Sequence, residues 1–141
     1  MKLITRDTDY AIRAIACIAG NKGKVTTVGA LSEKLHMPRP FLRKLLQVLN
    51  KKGVLSSQKG KGGGFMLVVP IEDIKLTDIM EIFQGPFRLN EHVFKKRACP
   101  NVCECALKKK IDEIESRVYE ELRAIDLGVM IFVNGKSLRS V

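Results

Sequence analysis

From Asp9 to Ala19, apolar residues fall at Tyr10, Ala11, Ala14, Ile15, Ile18 and Ala19, a helical spacing that predicts a first helix with a buried face. Gly20-Asn21 stops it. A second helix begins where Thr26 or Thr27 can cap it and carries Val28, Leu31 and Leu35 on one face. It ends around His36-Met37, because the residue before a proline, here Pro38, is biased away from helix. A third helix starts near Pro40, a residue suited to a first turn, turns Leu42, Leu45, Leu46 and Leu49 inward, and stops at Gly53. Only a few residues join the last two helices.

Beyond Gly53 the period changes. Val54 to Gln58 and Phe65 to Val69 are short extended runs around Lys59-Gly60-Lys61-Gly62-Gly63-Gly64, which predicts a β-hairpin closed by Pro70. A short amphipathic helix is expected from Leu76 to Phe83, before Gly85-Pro86 breaks the chain. Phe87 to Cys105 shows no sustained period and reads mostly as loop. From Ala106 onward Leu107, Ile111, Ile114, Val118, Leu122 and Ile125 recur every three or four residues with charges between them, the mark of a long helix with a narrow apolar seam. Asn134 to Val141 reads as a frayed end. The expected fold is mainly α with a small β-hairpin wing: a winged helix-turn-helix over 1–85, a cysteine-containing loop over 86–105, and a long C-terminal dimerisation helix with its tail over 106–141.

Charge narrows the partner. Residues 1–70 carry 13 Lys and Arg against 3 Asp and Glu, and residues 71–141 carry 12 against 12, so the whole net charge of +10 lies in the first half. A one-sided excess points to a polyanion, either nucleic acid or an acidic membrane surface. The membrane reading requires an exposed basic amphipathic helix with bulky apolar residues. Here the basic helices form a turn-linked unit followed by a hairpin, the arrangement in which the second helix enters the major groove of double-stranded DNA. No apolar run approaches the length of about eighteen residues that a membrane span needs. The first residues lack the apolar stretch of a signal peptide, so a cytoplasmic location is expected and no membrane partner.

With its leucines facing inward, the third helix presents Arg39, Phe41, Arg43 and Lys44 at its N-terminal end as base-reading candidates, with Gln47 one turn on and Asn50 and Lys51 beyond. Lys59 and Lys61 are placed to reach phosphates or the minor groove, and glycines such as Gly62 permit φ > 0 and leave backbone amides bare. The glycine run lacks the Gly-Lys-Ser/Thr of a nucleotide-binding loop.

Cys99, Cys103 and Cys105 lie within seven residues, directly before the long helix. In a cytoplasmic protein these are thiols or metal ligands rather than structural disulfides. Thiolate is the form that binds metals or reacts with oxidants, and the positive end of a helix favours it. Four readings stay open: an iron-sulfur cluster, which needs one donor more than three thiolates supply, a zinc site, a metal-free thiol switch, or no sensor function. A thiol-redox enzyme would want Cys-x-x-Cys and alternating strands and helices, both missing, so no enzymatic activity is expected. Cys17, flanked by Ile15, Ile18 and Ala19, reads as core packing, and His36 as structural or phosphate-facing.

Three segments, Thr8-Asp9-Tyr10-Ala11 with Arg13, Phe41-Leu42-Arg43-Lys44-Leu45-Leu46, and Gly60-Lys61-Gly62-Gly63-Gly64-Phe65, resemble the Rrf2 family of winged-helix regulators. The likeness spans nearly the whole chain, and its specific part is the glycine-rich wing at a fixed distance from the helix. The resemblance implies a homodimer on a palindromic operator, a long C-terminal helix crossing to the other subunit, and a sensory loop that often carries an iron-sulfur cluster, 2Fe-2S ahead of 4Fe-4S. Cys99 and Cys105 reproduce the family's Cys-x5-Cys spacing. The family's first cysteine is missing, with His92 nearest its position, and Cys103 is extra. The implied ligands are therefore Cys99, Cys103 and Cys105 with either His92 or Asp9, since Asp9 falls where some members use an acidic residue of the partner subunit. The function implied is a transcriptional regulator whose operator binding follows cluster or redox state, with a metal-free thiol-responsive or small-molecule-responsive regulator of the same fold as the alternative.

Overall fold

The computed structural model describes residues 2–89 and 105–129. Its first helix, α1 (Arg6–Gly20), starts earlier than the expected Asp9 because Thr5 caps it, the hydroxyl accepting from the Thr8 amide at 3.4 Å. Ala11, Ala14, Ile15 and Ile18 form its buried face. Helix α2 (Val28–Leu35) is capped by Thr27, whose hydroxyl accepts from the Ala30 amide at 3.1 Å. Thr26 has another task. It is buried, and its amide and carbonyl pair with the carbonyl and amide of Phe65 at 2.8 and 2.9 Å. Helix α3 (Arg39–Lys51) follows after a tight turn in which His36 takes the left-handed conformation, φ 53. Leu42, Leu45, Leu46 and Leu49 all turn inward.

Strands β1 (Leu55–Gln58) and β2 (Gly64–Leu67) form the antiparallel hairpin, with Leu55 opposite Leu67 and Gln58 opposite Gly64. A short 3-10 turn at Ile71–Asp73, which sequence periodicity did not signal, leads into α4 (Leu76–Gln84), where the Lys75 amide donates to the Asp78 carboxylate at 3.1 Å. One core joins these elements through Ile15, Ile18, Leu31, Leu42, Leu49, Leu55 and Ile79.

Cys105 caps the long helix α5 (Ala106–Arg123), its Sγ accepting from the Lys108 amide at 3.5 Å. The apolar seam expected to run on to Ile125 ends at Leu122. Past the helix, the Ile125 carbonyl accepts from the Leu76 amide at 2.9 Å, and the Leu127 amide donates to the Ile74 carbonyl at 2.8 Å. These bonds take up backbone groups that a longer helix would need, and they bring Leu127 into the core. Only Leu122 of the seam is buried; Leu107 and Ile114 are 68% and 52% exposed. The expected loop from Phe87 to Cys105 and the expected frayed end at Asn134 to Val141 fall largely or wholly outside the described residues. Among the described residues no helix is long and apolar enough to cross a membrane.

Candidate nucleic-acid interface

The inward leucines of α3 leave Arg39, Arg43, Lys44 and Gln47 exposed on its outer side, and the hairpin holds Lys59 and Lys61 exposed at its tip. None of these cations forms an ion pair with a described residue, so their charge is available to a polyanion. Between helix and hairpin runs an open groove of about 500 Å³, lined by Arg43, Gln47 and Asn50 from α3, Ser57 and Gln58 from β1, and Lys59. Asn50 Nδ2 reaches Ser57 Oγ at 3.5 Å, a long contact across its floor. Ser57 and Gln58 were not anticipated as lining. Alternation along the strand could point only to Gln58, since Ser57 shares the face of the buried Leu55 and is exposed because the strand runs out of the core toward the tip.

The wing's turn depends on glycine for two different reasons. Gly60 and Gly62 have φ of 96 and 79, left-handed values that L side chains rarely adopt, and the Gly63 amide donates to the Gly60 carbonyl at 3.0 Å. Gly63 and Gly64 are needed for space. A Cβ on either would lie 2.2 Å from a backbone oxygen, that of Gln58 for Gly63 and that of Thr26 for Gly64. The turn is therefore pressed against its own strand and against the segment that enters α2.

Phe41 is half-buried rather than free at the surface. Its ring meets Tyr10 edge-on, with centroids 5.7 Å apart and planes at 81°, and the Arg6 guanidinium stands 5.3 Å from the Tyr10 centroid and 5.6 Å from that of Phe41. Phe41 thus fastens the start of α3 to α1. Arg6 was missed as a neighbour of the interface because only its i, i+4 relation to Tyr10 hinted at it. Arg39, at the first position of α3, has its guanidinium against Gly29 of α2.

Of the candidate metal ligands, Cys105 is half-buried at the N-cap of α5, and Asp9 lies in the first turn of α1 with its carboxylate 3.1 Å from Arg13 Nε. His92, Cys99 and Cys103 lie outside the described residues. Among the described residues no three His, Cys, Asp or Glu side chains gather as a metal site. Cys17 is half-buried against the core and His36 is exposed in its turn. A second cleft, of about 300 Å³, opens between α4 and α5. Its walls include Met80, Phe87 and Tyr119, with the two rings 6.4 Å apart, and Glu115, which accepts from Arg88 Nη1 at 3.1 Å and from the Leu89 amide at 2.9 Å.

The family model described as Rrf2, iron-dependent transcriptional regulator, matches residues 4–132. A protein of Aquifex aeolicus named as an HTH-type transcriptional regulator is 28% identical over 131 residues, 92% of this chain and 91% of that one. One of the same description from Haemophilus influenzae is 30% identical over 135 residues, 93% and 87% of the two chains. The solved structure of CymR, the global cysteine regulator of B. subtilis, superposes with a TM-score of 0.74 at 22% identity, covering 91% of this chain and 95% of that one, which shows the shared fold.

Proposed function

The chain belongs to the Rrf2 family of DNA-binding transcriptional regulators, and on that footing we propose that it acts as a homodimer reading a palindromic operator through α3 and the wing, under control of the cysteine segment before α5. Residues 1–85 read DNA, 86–105 sense, and 106–141 dimerise. The observation that carries the reading is the groove in which Arg43 and Lys59, without an ion pair among the described residues, face the same space as Gln47. With α3 in the major groove, Arg39, Arg43, Lys44 and Gln47 meet base edges, while Lys59 and Lys61 and the bare amides around Gly62 hold phosphates. Phe41 supports them by packing the start of α3 against Tyr10 of α1.

Two substitutions separate these roles. Arg43→Ala is expected to weaken operator binding by about 1–3 kcal/mol and to relax discrimination at one base pair, whereas Lys59→Ala weakens all sequences alike and lowers the salt slope by about 1. Both variants binding as tightly as the parent would overturn the assignment of the reading surface.

For the sensor, Cys99, Cys103 and Cys105 supply three thiolates and either His92 or Asp9 the fourth donor. The donor set suits an iron-sulfur cluster, 2Fe-2S ahead of 4Fe-4S, with zinc as the alternative occupant. Such a cluster supplies a redox-active, oxidant-sensitive centre. Cys105 is the capping residue of α5, so a change in what its sulfur binds acts on the first turn of that helix. Asp9 would have to leave Arg13 to serve. An absorption spectrum of anaerobically purified protein, with iron and sulfide analysis, tests the cluster. Operator affinity that stays the same under all redox conditions, with the cysteines intact or replaced by serine, would sink the control. The cleft between α4 and α5 favours a second reading, a small-molecule-responsive regulator. Under it Tyr119→Ala would abolish a response that the serine variants retain.

A further inference from the structure

Gly29 occupies the second position of α2, where alanine would be the better helix former. Its φ lies outside the left-handed range, so its backbone does not call for glycine. What the missing side chain leaves room for is Arg39. A Cβ at Gly29 would lie 3.3 Å from Nη2 of that guanidinium, tighter than such contacts ordinarily come, and in ordinary contact with Cζ at 3.5 Å and Nε at 4.0 Å, so the guanidinium would have to give by a few tenths of an ångström. Gly29 also lines the groove shared by Arg43, Gln47 and Lys59. Resting on the reading-head assignment above, we propose that Gly29 is a positioning residue for base readout, a seat against which the Arg39 guanidinium is held before DNA arrives. An arginine left to wander loses rotamer entropy on binding and presents its fork at many angles, whereas one held against a flat backbone surface meets a base edge already oriented. Gly29 acts through Arg39 and need not touch DNA itself.

The test is a double-mutant cycle with a duplex that the parent protein selects from a randomised pool, and with single-base variants of that duplex. Gly29→Ala is expected to melt at or above the parent temperature, yet to bind the selected duplex about tenfold more weakly, the worth of one well-made arginine contact, and to discriminate less at one base pair. In an Arg39→Ala background the same substitution should cost nothing further. Arg39→Lys, which keeps the charge but loses the planar fork, should resemble Gly29→Ala and be indifferent to it. Parent-like affinity and discrimination in Gly29→Ala would overturn the proposal. So would a tenfold loss that persists without Arg39, since alanine would then be obstructing DNA directly. A parent that enriches no sequence at all would instead bring down the reading-head assignment, and this proposal with it.

Discussion

A single methyl group tests how the wing is built. At Gly64 it would be driven to 2.2 Å from the Thr26 carbonyl oxygen and 2.7 Å from its carbon, backbone atoms held by the Thr26–Phe65 bonds. Gly64→Ala is expected to cost about 1–3 kcal/mol, the usual range for overpacking, and to lower the urea midpoint without changing the slope. Lys61→Ala, at the exposed tip, should leave that midpoint where it is and change only DNA binding. The lysine-glycine run was enough to announce a hairpin, because glycine and turn chemistry are local. That glycines such as Gly62 permit φ > 0 was legible, but the demand for space was not: at Gly63 it depends on how the turn folds back on Gln58, and at Gly64 on Thr26, far away in sequence. Phe41 shows the same limit. Its place on the third helix was readable, but its partner Tyr10 comes from another helix.

Beside the core they share, one side chain ties the start of α1 to the end of α4 by hydrogen bonds. Gln84 Oε1 accepts from the Thr5 amide at 3.1 Å and the Thr8 hydroxyl at 2.9 Å, while its Nε2 donates to the Leu3 carbonyl at 3.0 Å. Because the Thr8 proton goes to Gln84, the Thr5 hydroxyl must be the donor in its 2.9 Å contact with Thr8 Oγ1. Gln84→Leu removes all three bonds and deprives the fully buried Thr8 of an acceptor, so a loss of about 1–3 kcal/mol is expected, with faster hydrogen exchange at the start of α1. Adding Thr8→Val should cost less than the sum of the two changes, because the orphaned hydroxyl goes with it. Such a joint explains why the start of α1 escaped periodicity: a buried threonine breaks an apolar pattern. The start and stop of α3 were legible because Pro40 and Gly53 act locally. The single bridge at Thr26 and the turn of the chain after Arg123 have no period to read, being set by pairing with Phe65 and with Ile74–Leu76.

Taken together, the elements divide a basic first half from an evenly charged second half whose long helix leaves Leu107 and Ile114 to solvent in a lone chain. An apolar stripe of this kind is the surface a two-fold partner would cover. Sedimentation at micromolar concentration is expected to show a dimer. Leu107→Glu with Ile114→Glu should give a folded monomer with weak operator binding, and an unchanged dimer would mean that another surface joins the subunits. Among the described residues helix α5 is also fastened unevenly. From Glu115 on, the helix and the segment that follows it to Leu127 are tied to α4, to Arg88 and to the Ile74–Leu76 segment, while the ten residues back to Cys105 extend ~15 Å. It is mechanically a beam clamped at one end with its cysteine cap at the other, and a tilt of about 10° at the clamp goes with nearly 3 Å of travel at the tip. A push on the cap would therefore reach the basic half as torque, with force gained in proportion to the distance given up.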